Sequence, residues 1–232
     1  MIGLALAVIA LDTPKPILAI NLDRSIISPS PESWRETTRW VKVPGGNGVE
    51  MMGNSSGWMM VDHPALALEK QFTVCAWLKP AGYVLAGPQA QIMFRGDDRP
   101  GLDPYSFAIH DNGTIFLRIN DPDNRSEDVT SATKLPINTW THVLASFDAG
   151  KQIMKIFING ELSGTTKTIL RPLGRLEAID SAGIGIGNVQ WDKGPHNQPY
   201  HGTLADLRLY NVALEPKDIG FNPKGWGIAN KG

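Results

Sequence analysis

The sequence predicts an all-β protein of two packed antiparallel sheets, and three observations carry that prediction. Glycine (24) and proline (17) are spread through all 232 residues, no long stretch keeps a helical apolar period, and about ten short segments alternate or run apolar between turn signals. Ten short strands at this spacing are too many for one strongly twisted open sheet and fold into two.

The opening, MIGLALAVIALD, is apolar for eleven residues before Asp12 and two prolines. It is too short to span a bilayer. Small residues at Ala5, Ala7 and Ala10 suit a secretory signal, but the basic n-region is missing, so residues 1–16 read as a signal remnant or as a plain first strand. The first reading implies an extracellular or cell-surface protein.

Strands are expected at 17–23, 57–62, 72–80, 91–97, 105–111, 114–120, 140–148, 154–160, 182–188 and 202–210. Asp111-Asn112-Gly113 and Asn159-Gly160 supply the positive-φ positions of tight hairpins, which pairs 105–111 with 114–120 and closes a second hairpin over 154–163. The less regular stretch is 24–56, with its PGGNG and GNSSG. The main domain is taken as 17–220 and the Gly- and Asn-rich 221–232 as a tail that frays beyond Trp226.

The closing stretch HGTLADLRLYNVALEPKDI, 201–219, alternates Ala205, Leu207 and Leu209 against Asp206, Arg208 and Tyr210. The first set is expected to face the core. Leu214, Pro216 and Ile219 then read as a single helical turn that begins near a proline.

Taken in order, GWMMVDHPALALEKQFTVCAWLKP, WTHVLASFD, MKIFINGELSG and this closing stretch resemble the laminin-G-like, concanavalin A-like jelly rolls, a group that includes pentraxins. The resemblance covers roughly residues 48–219. It implies a jelly-roll sandwich, core positions for Trp77 and Trp140, and calcium held by an N-terminal Asp or Asn and a carboxylate of the closing strand. Here Asp206, Asp23 and Asn21 are the ligands it would leave, because Ala205 stands where relatives carry a second carboxylate. The competing reading of Asp206 is an ion pair with a neighbouring arginine.

Several function classes are excluded or disfavoured. Net charge is -1 and no run of Lys or Arg exceeds two, so nucleic acid and anionic membranes find no electrostatic footprint. The lone Cys75, inside FTVCAWL, reads as a small buried thiol and rules out an intrachain disulfide. The glucanases that share the fold carry alternating carboxylates on one strand, where two can flank a glycosidic bond. No such strand occurs; Glu161, Glu177 and Asp180 come nearest, and Glu177 and Asp180 would fall on opposite faces. A lyase-like set from His110, Arg118 and Tyr105 fails because Tyr105 and His110 differ in parity. The segment 119–128 lacks EF-hand spacing and reads as a solvated hairpin loop. Asn54, Asn112 and Asn124 open glycosylation acceptor patterns, which matter only in a eukaryotic secretory context.

Ligand binding rests on aromatics and amides. Trp34, Trp58, Trp191, Tyr105, Tyr200 and His201 fall in or beside expected loops. The segment 188–202 combines Trp191 and Tyr200 with Asn188, Gln190, Asp192, Asn197 and Gln198, the composition of a wet binding loop and equally of a plain connection. The candidate ligand set is Trp191, Asp192, Asn197, Tyr200, His201 and Trp58. The expected function is a non-catalytic module that recognises a glycan, or a structural module contacting a surface protein, with an unrecognised glycan-active enzyme as the third reading.

Overall fold

The computed structural model describes residues 14–30, 32–33, 38–54, 57–97, 99, 101–177, 182–190 and 197–228. Sixteen strands follow in chain order: β1 (Leu18–Ile20), β2 (Ile26–Ile27), β3 (Glu32–Ser33), β4 (Arg39–Val43), β5 (Gly46–Met52), β6 (Trp58–Val61), β7 (Gln71–Pro80), β8 (Gln89–Gly96), β9 (Tyr105–His110), β10 (Thr114–Asn120), β11 (Ser126–Lys134), β12 (Thr141–Asp148), β13 (Ile153–Ile158), β14 (Glu161–Lys167), β15 (Gly183–Ile186) and β16 (His201–Tyr210). Among the described residues the helical content is one three-residue 3-10 turn, Pro64–Leu66.

All ten expected strands are present, in two antiparallel sheets that form the jelly-roll sandwich. One has nine strands in the order β14-β13-β12-β7-β16-β1-β2, with β5 also on β16 and β4 on β5; the other has seven, β11-β10-β9-β8-β15-β6-β3. Both hairpins form where the turn residues placed them: Asn159 and Gly160 take φ of 51° and 85°, and Gly113 takes 86°. Gly113 has a second reason to be glycine, since a Cβ there would meet the Tyr83 ring at 2.4 Å.

The inter-sheet core is filled by alternate residues of both sheets. Phe72, Val74, Ala76 and Leu78 of β7 meet Tyr105, Phe107 and Ile109 of β9 and Ile115, Leu117 and Ile119 of β10. The Phe72 ring packs 5.0 Å from Tyr105 and 5.7 Å from Phe147, centroid to centroid. At one end of the sandwich Arg95, its side chain only 1% exposed, forks onto Asp62 at 2.8 and 2.9 Å and donates to the carbonyl of Gly174 at 2.9 Å. That contact ties the 170–177 segment to the seven-stranded sheet.

The closing strand departs from strict alternation. Asp206 sits at φ 50° and the pairing with β7 slips between Ala205 and Arg208, so a bulge carries Ala205 to the outer side while Leu204, Leu207 and Leu209 face the core. The expectation for Ala205 is therefore corrected; those for Leu207 and Leu209 match the structure. Aspartate tolerates the left-handed region better than most residues, which is why the extra residue falls there.

Residues 211–228 then fold back over the outer face of the nine-stranded sheet. They do so as turns, not as the expected helical turn. Leu214 and Ile219 pack on Cys75, Leu144, Phe157 and Tyr210, and Trp226 on Trp77 and Ala205. Trp77 is thus buried beneath this segment and not between the sheets, with the Trp226 ring stacked on it at 4.1 Å and 2° and Trp140 edge-on to Trp226 at 5.0 Å. The segment 24–56 contains the β4–β5 hairpin, and β5 pairs with β16 through Val49 and Leu204.

Candidate functional site

The outer face of the seven-stranded sheet is shaped by the parity that builds the core. With Phe107, Ile109, Ile115 and Leu117 turned inward, Ser106, Ala108, His110, Phe116 and Arg118 turn outward. Register sets them in rows: Gln91, Ala108 and Phe116 across β8, β9 and β10, then Phe94, Ser106 and Arg118. Gln91, Ala108, Ser106 and Phe116 are themselves buried, and the half-buried His110, Arg118, Asn197 and Gln198 are what this face presents to solvent.

Along one flank the His110 ring lies on Phe116 at 4.1 Å and 17°, and the Arg118 guanidinium stands 5.3 Å from the Phe116 centroid. Arg118 forks onto Asp128 at 2.7 and 2.6 Å, which fixes the guanidinium plane over the ring. Burial lowers the His110 pKa, so the ring is neutral at neutral pH and presents both a donor and an acceptor.

The other flank is a cluster of amides. Asn188 accepts from the backbone of Val189 and Gln198 at 2.8 and 2.9 Å and donates to Asn197 at 2.6 Å. Gln91 donates from its side chain to Gln198 Oε1 at 2.9 Å, and its backbone N–H donates to the Gln198 carbonyl at 2.9 Å. Gln91 Oε1 is buried and takes no hydrogen bond. Gly185 lets this loop approach closely, since a Cβ there would meet the Asn188 and Val189 backbone at 2.3 Å.

Charge collects at one end of this face. Burial works against the Asp97 carboxylate, but the Arg99 guanidinium and the amides of Arg99 and Glu177 outweigh it and hold the pKa below the usual range. Asp103 is pushed up to about 7, by burial first and the charge of Asp97 second, with Arg118 and Arg99 offsetting only part. Asp97 and Asp128 are each held by an arginine, and Glu177 pairs with Arg99 at 3.1 Å. The face offers the half-buried His110 ring, amides and a fixed guanidinium, which suits hydrogen bonding to a polyhydroxylated chain.

The predicted ligand residues scatter. Asn197 belongs to the amide cluster, and His201 is half-buried at the start of β16. Trp58 (1% exposed) and Tyr200 (0%) are core residues, so both are corrected: neither ring is open to a ligand. Trp58 packs edge-on to Trp40, and the Tyr200 hydroxyl donates to the Thr203 carbonyl at 3.3 Å. Tyr105 is likewise buried, donating to the Leu66 carbonyl. Trp191, Asp192, Trp34 and Asp180 lie outside the described residues. Gln91, His110, Phe116, Arg118, Asp97, Asp103 and Asp128 were not in the predicted set; the outward parity of the 105–120 hairpin was the signal that points to three of them, His110, Phe116 and Arg118.

The residues proposed for calcium do not fit the ion. Asp206 Oδ1 accepts from Arg208 Nε and Nη2 at 2.9 and 2.8 Å, so a divalent cation there would face a guanidinium. Asp23 takes the hydroxyl and amide of Ser25 at 2.6 and 2.8 Å, and Asn21 donates to the same hydroxyl at 3.0 Å. No group of three or more His, Cys, Asp or Glu side chains able to hold a metal occurs among the described residues. Cys75 is buried, and burial lifts its thiol to about 12, so it stays protonated. No helix among the described residues is long and apolar enough to cross a membrane.

No curated protein matches the chain. Similar solved structures include domain 4 of AbnA, a GH43 extracellular arabinanase from Geobacillus stearothermophilus, in complex with arabinotriose: 20% identity, 90% of this chain against 98% of that one, TM-score 0.64. The binding domain of Paraclostridial Mosquitocidal Protein 1 matches 87% of this chain with 49% of its own at 14% identity and TM-score 0.66. The binding domain of botulinum neurotoxin DC, solved in complex with SialylT, gives 15%, 90%, 50% and 0.65. The chain spans about half the length of these toxin binding domains. At such identities the likeness shows the fold. A family model matches residues 53–220, and by that match, with two antiparallel sheets in jelly-roll arrangement, the chain belongs to the concanavalin A-like lectin/glucanases superfamily.

Proposed function

We propose that this chain is a non-catalytic, extracellular carbohydrate-binding module that receives an oligosaccharide along the outer face of the seven-stranded sheet. The observation that carries the reading is the pair of polar flanks on that face, with the half-buried His110 ring and Arg118 guanidinium braced by the buried Phe116 on one side and the Asn197 and Gln198 amides braced by the buried Gln91 and Asn188 on the other. Amides and a fixed guanidinium supply directed hydrogen bonds to hydroxyls, and a neutral histidine can both donate and accept. The arabinanase domain solved with arabinotriose, matched over 98% of its length, supports a sugar ligand for this fold. Catalysis is not part of the proposal, because Asp97 and Asp128 on that face are already committed to arginines and, among the described residues there, leave no free pair to flank a glycosidic bond.

The test is a glycan array followed by calorimetry with arabino-oligosaccharides and sialylated oligosaccharides, on wild type, Arg118→Ala and Gln198→Ala. Binding weakened about tenfold or more in each variant, equal to about 1.4 kcal/mol, is expected, with no reducing ends released on long incubation. No glycan bound in the millimolar range, or binding unchanged in both variants, overturns the proposal.

A further inference from the structure

The opposite face of the sandwich holds a polar pocket that the reading above does not use. Where residues 211–228 cross the nine-stranded sheet, they leave a cavity of about 230 Å³ walled by Trp77, His142, Asp206 and Arg208 below and by Phe221 and Trp226 above, with Lys224 on the rim. One side of it is aromatic. The His142 ring lies edge-on to Trp77 at 5.1 Å and 4.8 Å from Phe221.

His142 makes the pocket unusual. Its side chain belongs to a residue only 5% exposed, it lines the cavity, and Nδ1 has no hydrogen-bond partner. An orphaned polar atom inside a protein costs on the order of 1–3 kcal/mol unless something meets it. Burial and the nearby Arg208 bring its pKa down to about 3, so the ring is neutral over the working pH range and Nδ1 either accepts or donates according to tautomer. Beside it, the Asp206 carboxylate is bonded to Arg208, a pair whose side chains remain 18% and 31% exposed.

These groups discriminate between ligand chemistries. A metal cation would meet Arg208, with Lys224 at the mouth, and an added carboxylate or phosphate would sit against Asp206. A hydroxyl is indifferent to both charges, satisfies His142 in either tautomer, and can donate to Asp206. The aromatic walls suit the C–H faces of a ring, and the volume is that of roughly seven liquid waters. We infer that this pocket is a second, independent ligand site for one neutral polyhydroxylated ring, a single pyranose or furanose unit, anchored by His142 Nδ1 and Asp206.

The experiment uses the full chain labelled with ¹⁵N and follows the ring nitrogens of His142 by NMR while arabinose, galactose, glucose, glucuronate, acetate or calcium is added. A shift at His142 Nδ1 that saturates in the millimolar range with a neutral monosaccharide is expected. It should persist in Arg118→Ala, which disables the other face, and vanish in Asp206→Asn. In His142→Phe, which keeps an aromatic ring of similar size, Trp fluorescence quenching by the same sugar should be lost. Because the wild-type shift is read without any substitution, a variant that folds poorly does not decide the outcome. Absence of any neutral-sugar effect on His142, quenching unchanged in His142→Phe, or preference for acetate, glucuronate or calcium overturns the inference; loss of the shift in Arg118→Ala would mean that one site serves both faces and overturns its independence.

Discussion

A buried histidine and a half-buried aspartate on opposite faces set pH dependences of opposite sign, and wild type hides both. The folded pKa of His142 is about 3, lowered by burial and then by Arg208, whereas the unfolded ring titrates near 6.5. Below about pH 6.5 the unfolded chain therefore takes a proton that the folded one refuses, and stability falls as pH drops toward 3. Asp103 behaves the other way. Its folded pKa is about 7, raised by burial and by Asp97, against an unfolded value near 4, so the folded chain holds the extra proton and stability falls as pH rises from about 4 to about 7. Each slope has an upper limit of about 1.4 kcal/mol per pH unit. Asp206, raised by burial more than Arg208 lowers it, adds to the second sense and His110, lowered by burial, adds to the first, while carboxylates held low, such as Asp97 and Asp121, act below about pH 4, outside the overlap. Between about pH 4.5 and 6 the opposing slopes largely cancel in wild type. Asp103→Asn should then lose about 2 kcal/mol on acidification across that interval and His142→Phe should gain about 2, each relative to its own value at the higher pH. For a domain of this size that is a Tm shift of about 4–8 °C. Thermal melts at four pH values on the three proteins measure it, and slopes of the same sign in the two variants would refute the reasoning. Because slopes are compared, the packing cost of each substitution drops out.

Three further outcomes follow from the contacts. Asp62→Ala should cost about 3–5 kcal/mol in urea unfolding, because it leaves the Arg95 guanidinium buried and unpaired, and Arg95→Met should cost at least about 1 kcal/mol less, since Asp62 is 21% exposed and can reach water. The reverse order would show that Asp62 is the buried partner. Calcium at millimolar concentration and chelator should give the same Tm, where a filled site at one hundred times Kd would add about 2.7 kcal/mol; a calcium-dependent rise lost in Asp206→Asn would restore the metal. Trp226→Ala should cost about 2–4 kcal/mol, the loss of a stacked and nearly buried tryptophan, and a change under about 0.5 kcal/mol would mean that the segment does not pack on Trp77 in solution.

Strand positions were legible where one face is apolar and the turn is marked. The 105–120 hairpin and the 154–163 hairpin announce themselves through Asn112-Gly113 and Asn159-Gly160, and both form as expected. Strands β4, β5 and β11 did not, for two reasons. SEDVTSATK buries only Val129 and Ser131 and keeps a polar outer face, so its alternation is too faint to separate from a loop; GNGVEMM is broken by the glycines that let β5 pass close to Leu22 and Leu204. Trp58 and Tyr200 looked like binding aromatics because both stand next to glycine- and amide-rich loops, yet composition near a ring does not say which way the ring points. The Ala205 error has a single cause: one residue at positive φ inverts parity, and aspartate, unlike glycine, does not flag it.

That bulge and the segment after it bear on which face can take a ligand. FTVCAWL reads as a continuous apolar run, the pattern of a strand covered on both sides. Its inner residues meet the other sheet, and its outer ones, Cys75 and Trp77, lie under Leu214, Ile219, Phe221 and Trp226. Among the described residues the nine-stranded face is covered over β7 and β16, leaving there a cavity of about 230 Å³, room for one ring and not for a chain. An extended oligosaccharide needs a surface several residues long, and on the outer face of β8, β9 and β10 the half-buried His110 and Arg118 stand opposite the Asn197 and Gln198 amides over a buried floor of Ser106, Ala108 and Gln91. Removing residues 221–232 should consequently expose Trp77 and weaken single-sugar binding at His142, while leaving oligosaccharide binding at Arg118 intact; loss of both together would argue that the segment supports the whole sandwich and not one face.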